Sequence, residues 1–206
     1  SDPRRAHFRM SELEVLVEEA TAAGRFVMAH AQATDGIKNA VRAGIRSIEH
    51  GIFLDDEAIQ LILDHGTWLV PTLIAPVWVI ESVEAGAQIS DASIRKAREV
   101  IEIHADSVRR AVEAGVKVAM GTDAGVGPHG DNLRELGLLQ RAGMTPTAAL
   151  RSATQEAARL LGVDDRLGTI EPGKTAVRTL PLIEPSVAPR TPESAQSIFI
   201  ATLPPA

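Results

Sequence analysis

Short apolar runs that stop abruptly at a polar residue constrain this chain more than any single motif. Residues 26–30 and 45–50 end in His30 and His50, and residues 116–121 stop just before Asp123. Runs without polar alternation are typical of strands that are covered on both faces of a parallel sheet. The carboxyl ends of parallel strands meet at one edge, so the sequence predicts that these three polar side chains lie near one another.

Segments with helical spacing of apolar residues separate these runs. Helices are predicted for residues 11–23, 35–43, 55–65, 93–114, 131–142 and from 145, with Thr154 capping a last helix that ends near 161; strands are predicted for 26–30, 45–50, 67–71 and 116–121. Ser11 and Glu14 fit a capping box for the first helix. Residues 72–92 are predicted to be an insertion in which Trp78 and Ile80 cover a cavity. Strands alternating with helices indicate an α/β fold with a parallel sheet.

The composition changes near residue 174. Residues 1–174 are predicted to form one domain of ordinary size. Residues 175–206 are rich in proline and show no regular period, which predicts a poorly ordered tail. A stray strand over 197–203 is the one element expected within it.

Charge and cysteine content exclude several classes of function. The formal charge is −6 and no basic patch is present, so neither nucleic acid nor an anionic membrane is an expected partner. The chain has no cysteine, which excludes disulfides and thiolate metal sites. Residues 1–5 do not include the apolar segment of a signal peptide, and no apolar run is long enough to cross a bilayer. The cytoplasm is the expected location.

His30, His50 and Asp123 together predict a metal site. Taken singly, a histidine at a strand end is more often a structural residue, and Gly121-Thr122-Asp123 is more often a plain turn. Three such ends in successive units favour a shared role. Imidazole and carboxylate groups suit Zn²⁺ and similar ions, and Asp123 has the chemistry either to bind the metal or to accept a proton from its water. His65 and His104 are predicted to be structural.

Several motifs in one order resemble the amidohydrolase superfamily. They are Ala29-His30-Ala31, residues 44–51, 114–125, 127–130, 134–136, 142–146 and 167–174. The similarity is greatest to the branch of imidazolonepropionase-like enzymes and Xaa-Pro or Xaa-Arg dipeptidases. It spans roughly residues 10–174.

This resemblance implies the C-terminal half of a (β/α)8 TIM barrel, strands five to eight, with a helical C-terminal extension. By that comparison His30, His50 and Asp123 end the fifth, sixth and eighth strands and bind a divalent metal, with zinc as the expected ion. Asp123 would then act as general base and acid, and His129 would contact the substrate. The family's His-x-His pair and its metal-bridging lysine have no counterpart here, so strands one to four are expected to be absent.

Three functions remain open from the sequence. The first is a metal-dependent hydrolase of C–N bonds, acting on a small amide or dipeptide, with weak or no activity for this chain alone. The second is a catalytically incomplete half-barrel that associates with itself or with a separate N-terminal half. The third is a single-metal deaminase of the same superfamily.

Overall fold

In the computed structural model the described residues are 4–175 and the strand 197–200. The helices are α1 (Met10–Ala22), α2 (Thr34–Arg42), α3 (Asp56–His65), α4 (Ile74–Glu84), α5 (Asp91–Ala114), α6 (Arg134–Arg141), α7 (Pro146–Arg151) and α8 (Ala157–Leu161). The strands are β1 (Phe26–Ala31), β2 (Ser47–His50), β3 (Trp68–Val70) and β4 (Ser197–Ile200). Strand–helix alternation confirms the predicted α/β class.

The strands form one parallel sheet in the order β3-β2-β1-β4. β1 pairs with β2, and β2 pairs with β3. β4 pairs in parallel with the outer edge of β1, from Phe26 to Ala29. The sequence prediction of a stray strand near 197 is therefore confirmed over four residues. The rest of the predicted tail, residues 176–196 and 201–206, lies outside the described residues.

The two faces of the sheet are covered differently. Val27, Ala29 and Ala31 of β1 are buried with Ile48 and Leu69 in the main core, which the helices cover. The opposite face of β1 carries Phe26, Met28 and His30, all half-buried. A smaller buried cluster lies on that face farther along the sheet and contains Trp68, Val70, Ala119 and Leu160. The alternation of a strand thus gives β1 one fully buried face and one half-open face.

Two predicted segments are corrected. Residues 72–92 were expected to be an insertion, but α4 occupies 74–84 and buries Trp78 to 2 % exposure. Pro76 lies in the first turn of this helix, where a missing N–H costs little. Residues 116–121 do not form a regular strand; they meet β3 through one bridge, with Leu69 N–H donating to Lys117 C=O at 2.9 Å.

Two predicted helix caps are also wrong. At the start of α1 the Arg9 N–H donates to the Glu12 carboxylate at 2.8 Å, two residues before the predicted Ser11 and Glu14. Thr154 does not cap a helix, because residues 152–156 form a π-helical turn that continues α7 into α8. Its hydroxyl instead donates to Leu150 C=O at 3.0 Å. A hydroxyl that donates to the carbonyl four residues earlier in this way bonds within the helix instead of capping its N-terminus.

One face of α5 holds the chain segment that follows β2. Nε2–H of His104 donates to His50 C=O at 2.8 Å, and the Ser107 hydroxyl donates to Ile52 C=O at 2.7 Å. Both side chains are buried. Burial lowers the pKa of His104 to about 4. His104 therefore has the structural role predicted for it, because its hydrogen bond fixes the end of β2.

No helix within the described residues is long and apolar enough to cross a membrane.

We expect Gly127→Ala to lower the free energy of unfolding by about 1–3 kcal/mol. A Cβ at residue 127 would lie 1.9 Å from Cδ2 of Trp78. Urea denaturation measures the effect. Gly137→Ala is the matched control, because its Cβ would meet nothing closer than Arg141 Nη1 at 3.8 Å. Inside α6 this alanine should stabilise by up to about 1 kcal/mol. If the Gly127→Ala variant were as stable as the native chain, the close packing of residue 127 on Trp78 would be contradicted.

We expect acid to destabilise the fold partly through His104. The unfolded chain gains this proton near pH 6.5, whereas the folded chain gains it only near pH 4. Stability therefore falls as the pH is lowered through this window, by about 3 kcal/mol in full. His104→Gln keeps a donor near the Nε2 position and removes the titration. Urea midpoints between pH 4 and 8 should show a flatter acid slope for this variant than for the native chain, and equal slopes would contradict the role of His104.

Candidate metal centre

Three non-glycine residues of the described chain have a left-handed backbone, and all three lie at strand ends. They are His50 (φ 74°), Thr72 (φ 55°) and Asp123 (φ 54°). His50 ends β2, Thr72 follows β3, and Asp123 follows the segment that bridges to β3. A left-handed backbone costs a β-branched or bulky residue of order 1–3 kcal/mol and tends to occur at functional sites. The strain points to this edge of the sheet as the candidate site.

The neighbouring glycines let the strand ends approach closely. A Cβ on Gly51 would lie 2.6 Å from Leu69 Cδ1, and the backbone there has φ 63°. A Cβ on Gly121 would lie 2.5 Å from Val70 Cγ1. Both glycines are thus needed so that the turns after His50 and before Asp123 can pack on β3. This is the local reason for the His-Gly and Gly-Thr-Asp patterns.

The two predicted histidine ligands meet. Nδ1 of His30 lies 2.9 Å from Nε2 of His50. The ring centroids are 4.4 Å apart, and the ring planes are inclined by 70°. Residues on adjacent parallel strands are held in register here, with Ala31 opposite His50. These two ring nitrogens are therefore hydrogen-bonded to each other at the carboxyl ends of β1 and β2.

Both rings are held in the neutral form. Burial, together with the charges of His30, His104 and Lys96, lowers the pKa of His50 to about 3. Burial also lowers the pKa of His30, as does Lys96, while the Asp123 carboxylate raises it. Metals bind the neutral imidazole. The pair therefore suits a divalent ion such as Zn²⁺ at neutral pH.

A buried hydroxyl fixes the orientation of His50. Its Nδ1 lies 2.6 Å from Oγ1 of Thr72, which is 3 % exposed. The tautomer with the proton on Nδ1 donates to this oxygen and leaves the lone pair on Nε2. Outer partners of this kind set the tautomer of a metal-binding histidine. Thr72 was not identified from the sequence; its only signal was its position directly after an apolar run.

Asp123 is exposed at the same edge. Its charge raises the pKa of His30 and contributes to the raised pKa of Glu49, which burial brings to about 7. Within the described chain, however, no three His, Cys, Asp or Glu side chains are grouped closely enough to hold a metal ion. The structure thus brings His30 and His50 together and places Asp123 within electrostatic range of them.

Glu49 is a second residue that sequence analysis passed over. It is 9 % exposed and accepts a hydrogen bond from the Ser47 hydroxyl at 2.7 Å. A carboxylate inside an otherwise apolar strand was the available signal.

His129 lies exposed in the loop after Asp123. Gly127 of this loop packs on Trp78, and Nε1–H of Trp78 donates to Asp131 at 3.2 Å. The loop is thus attached to α4. Contact of His129 with a substrate stays a prediction.

Comparison with known proteins places this geometry in a family. The sequence model of the Amidohydrolase family matches residues 2–181. An uncharacterized protein of Mycobacterium tuberculosis is 41 % identical over 164 residues, covering 75 % of this chain and 42 % of that protein. Ochratoxinase of Aspergillus niger is 35 % identical over 162 residues, covering 78 % of this chain and 33 % of the enzyme.

A solved structure is similar as well. The crystal structure of a Xaa-Pro dipeptidase with bound methionine in the active site superposes with a TM-score of 0.77 at 41 % identity, covering 82 % of this chain and 42 % of that one. The chain thus spans less than half the length of these relatives. The resemblance inferred from the sequence motifs, including its dipeptidase-like branch, is confirmed: the chain belongs to the amidohydrolase family.

Proposed function

We propose that this chain carries part of the catalytic site of a metal-dependent hydrolase of C–N bonds. The observation that carries the proposal is the convergence of two neutral imidazoles, His30 Nδ1 and His50 Nε2, at 2.9 Å. Zinc and similar ions prefer such ligands. By family resemblance, the chain is proposed to supply strands five to eight of a (β/α)8 barrel.

His30 and His50 are the residues that would hold the ion, and Asp123 lies within electrostatic range of them. A bound divalent ion lowers the pKa of a water molecule to near 7 and polarises a carbonyl oxygen. Asp123 accepts the proton of the attacking water and returns it to the leaving nitrogen. Its exposure leaves space beside it for a substrate. Thr72 keeps His50 in one tautomer throughout, so that the ring does not compete for the transferred proton.

A small amide or dipeptide is the proposed substrate. Support comes from the names of similar proteins, a Xaa-Pro dipeptidase and an ochratoxinase. His129 is proposed to contact the substrate from its loop. Because the chain spans less than half of these relatives, we propose that the isolated chain binds metal but turns over substrate weakly.

We expect the metal-free chain to bind Zn²⁺ at one site that needs both histidines. Isothermal titration calorimetry should show that His50→Ala binds Zn²⁺ at least roughly 100-fold more weakly than the native chain. Even the outer partners of a metal ligand contribute about 10–100-fold to affinity. His65→Ala is the matched control, since this exposed ring bonds only Leu61 C=O at 2.9 Å within its own helix. Undiminished binding by a His30→Ala, His50→Ala double variant would exclude the site.

The same samples test the reaction. Turnover of an Xaa-Pro dipeptide panel should require Zn²⁺ and stop with a chelator. Asp123→Asn should lower any such turnover by about 10²–10⁴-fold, the usual contribution of a general base, while zinc still binds His30 and His50. Zinc-independent turnover would contradict the proposed mechanism.

A second candidate function is association of an incomplete barrel. The half-open face of β1 carries Phe26 and Met28 beside His30. The outer edge of β1 is already paired with β4 from Phe26 to Ala29, so this half-open face is the proposed contact surface. Exposed apolar faces favour pairing with another chain. A second copy, or a chain supplying an N-terminal half, is the proposed partner.

For this candidate we expect a solution mass above the 21.9 kDa of one chain. Light scattering after size exclusion gives the mass. Met28→Glu, on the half-open face, should shift the mass to that of a monomer. Val15→Glu is the control, because Val15 is already 58 % exposed on α1. A monomer at every concentration would rule out self-association.

A further inference from the structure

Glu135 is a fully buried carboxylate far from the site in sequence. It lies in α6 with 0 % exposure. Its Oε1 accepts from Leu73 N–H and its Oε2 from Ile74 N–H, each at 2.8 Å. Desolvation raises its pKa to about 7, and the two amides oppose that rise. Burying a carboxyl is costly, so these contacts need a structural or functional reason.

The two amides belong to the start of α4. The first N–H groups of a helix have no partner within it, and Leu73, the residue just before this helix, gives no side-chain cap. Glu135 therefore satisfies groups that would otherwise be buried without partners. It also fixes the backbone immediately after Thr72.

Thr72 needs such support. Its left-handed backbone, φ 55°, is unfavourable for a β-branched residue. Released from its neighbours, this turn would relax toward an extended backbone and carry the hydroxyl away. In the structure the hydroxyl lies 2.6 Å from His50 Nδ1. The contacts thus run from Glu135 through the α4 amides and Thr72 to His50.

We infer that Glu135 is a positioning residue for His50: it holds the turn at residues 72–74 so that the Thr72 hydroxyl keeps Nε2 of His50 directed at His30. The importance of this for catalysis rests on the proposed function. The orientation of the His50 ring does not rest on the proposed function, and it is measurable in the metal-free protein.

Nitrogen-15 NMR of the histidine rings tests the inference without metal. In the native chain His50 should show the two well-separated ring shifts of a single neutral tautomer. Glu135→Gln keeps the shape of the side chain but places an amide donor against a backbone N–H. We expect its two His50 ring shifts to move toward each other, as for exchanging tautomers. Thr72→Val, which keeps the β-branch and removes the hydroxyl, should produce the same change.

Leu139→Ala is the matched control. Leu139 is fully buried in the same helix, so its loss destabilises α6 but keeps the Glu135 carboxylate and its two backbone partners, and the His50 shifts should stay native. Native shifts in Glu135→Gln would overturn the inference. Should that variant fail to fold, Thr72→Val alone decides, because a single tautomer there would show that the turn does not orient His50.

A double-variant cycle in zinc affinity separates positioning from general destabilisation. Glu135→Gln should weaken zinc binding by about 10–100-fold in the native background. In the Thr72→Val background the further loss should be less than about 3-fold, because both residues act through one hydrogen bond. Additive losses would overturn the inference. If the native chain binds no zinc while the ring shifts respond as expected, the proposed function fails and the positioning role stands.

Discussion

The hydrogen bond between Thr72 and His50 is the interaction on which the candidate site depends. It joins the ends of two adjacent strands, and both residues have a left-handed backbone. Neither conformation would persist in an isolated peptide, because each costs free energy that only surrounding packing offsets. The strain is thus a measure of how firmly the rest of the fold defines this edge of the sheet.

Two buried polar residues on helices hold the backbone at this edge of the sheet. His104 on α5 holds the carbonyl of His50, and Glu135 on α6 holds the amides after Thr72. Neither side chain faces the candidate site. Each side chain makes its hydrogen bonds to backbone groups, and these bonds fix the direction of a turn. The helices around the sheet therefore do more than cover its apolar face.

The strands and the histidine pair could be predicted from the sequence because they follow from local rules. Short apolar runs that end in His30 and His50 are enough to predict parallel strands whose carboxyl ends meet at one edge. Thr72 and Glu135 could not be found in this way. Their roles depend on partners that are distant in the sequence, and an isolated Thr or Glu reads as an ordinary polar surface residue. Helix α4 was missed because Pro76 and its nearly uniform apolar character hide the helical period.

The packing of Gly127 on Trp78 has a consequence for ligand binding. Together with the ion pairs of Arg134 to Glu81 and Asp131, this contact anchors both the middle and the end of the loop that carries His129. An anchored loop has already lost most of its conformational freedom before any ligand arrives. A ligand that touches it is spared that entropic cost, but it must also accept the shape that the loop already has. Selectivity at this edge would then be set by the fit to a preformed wall.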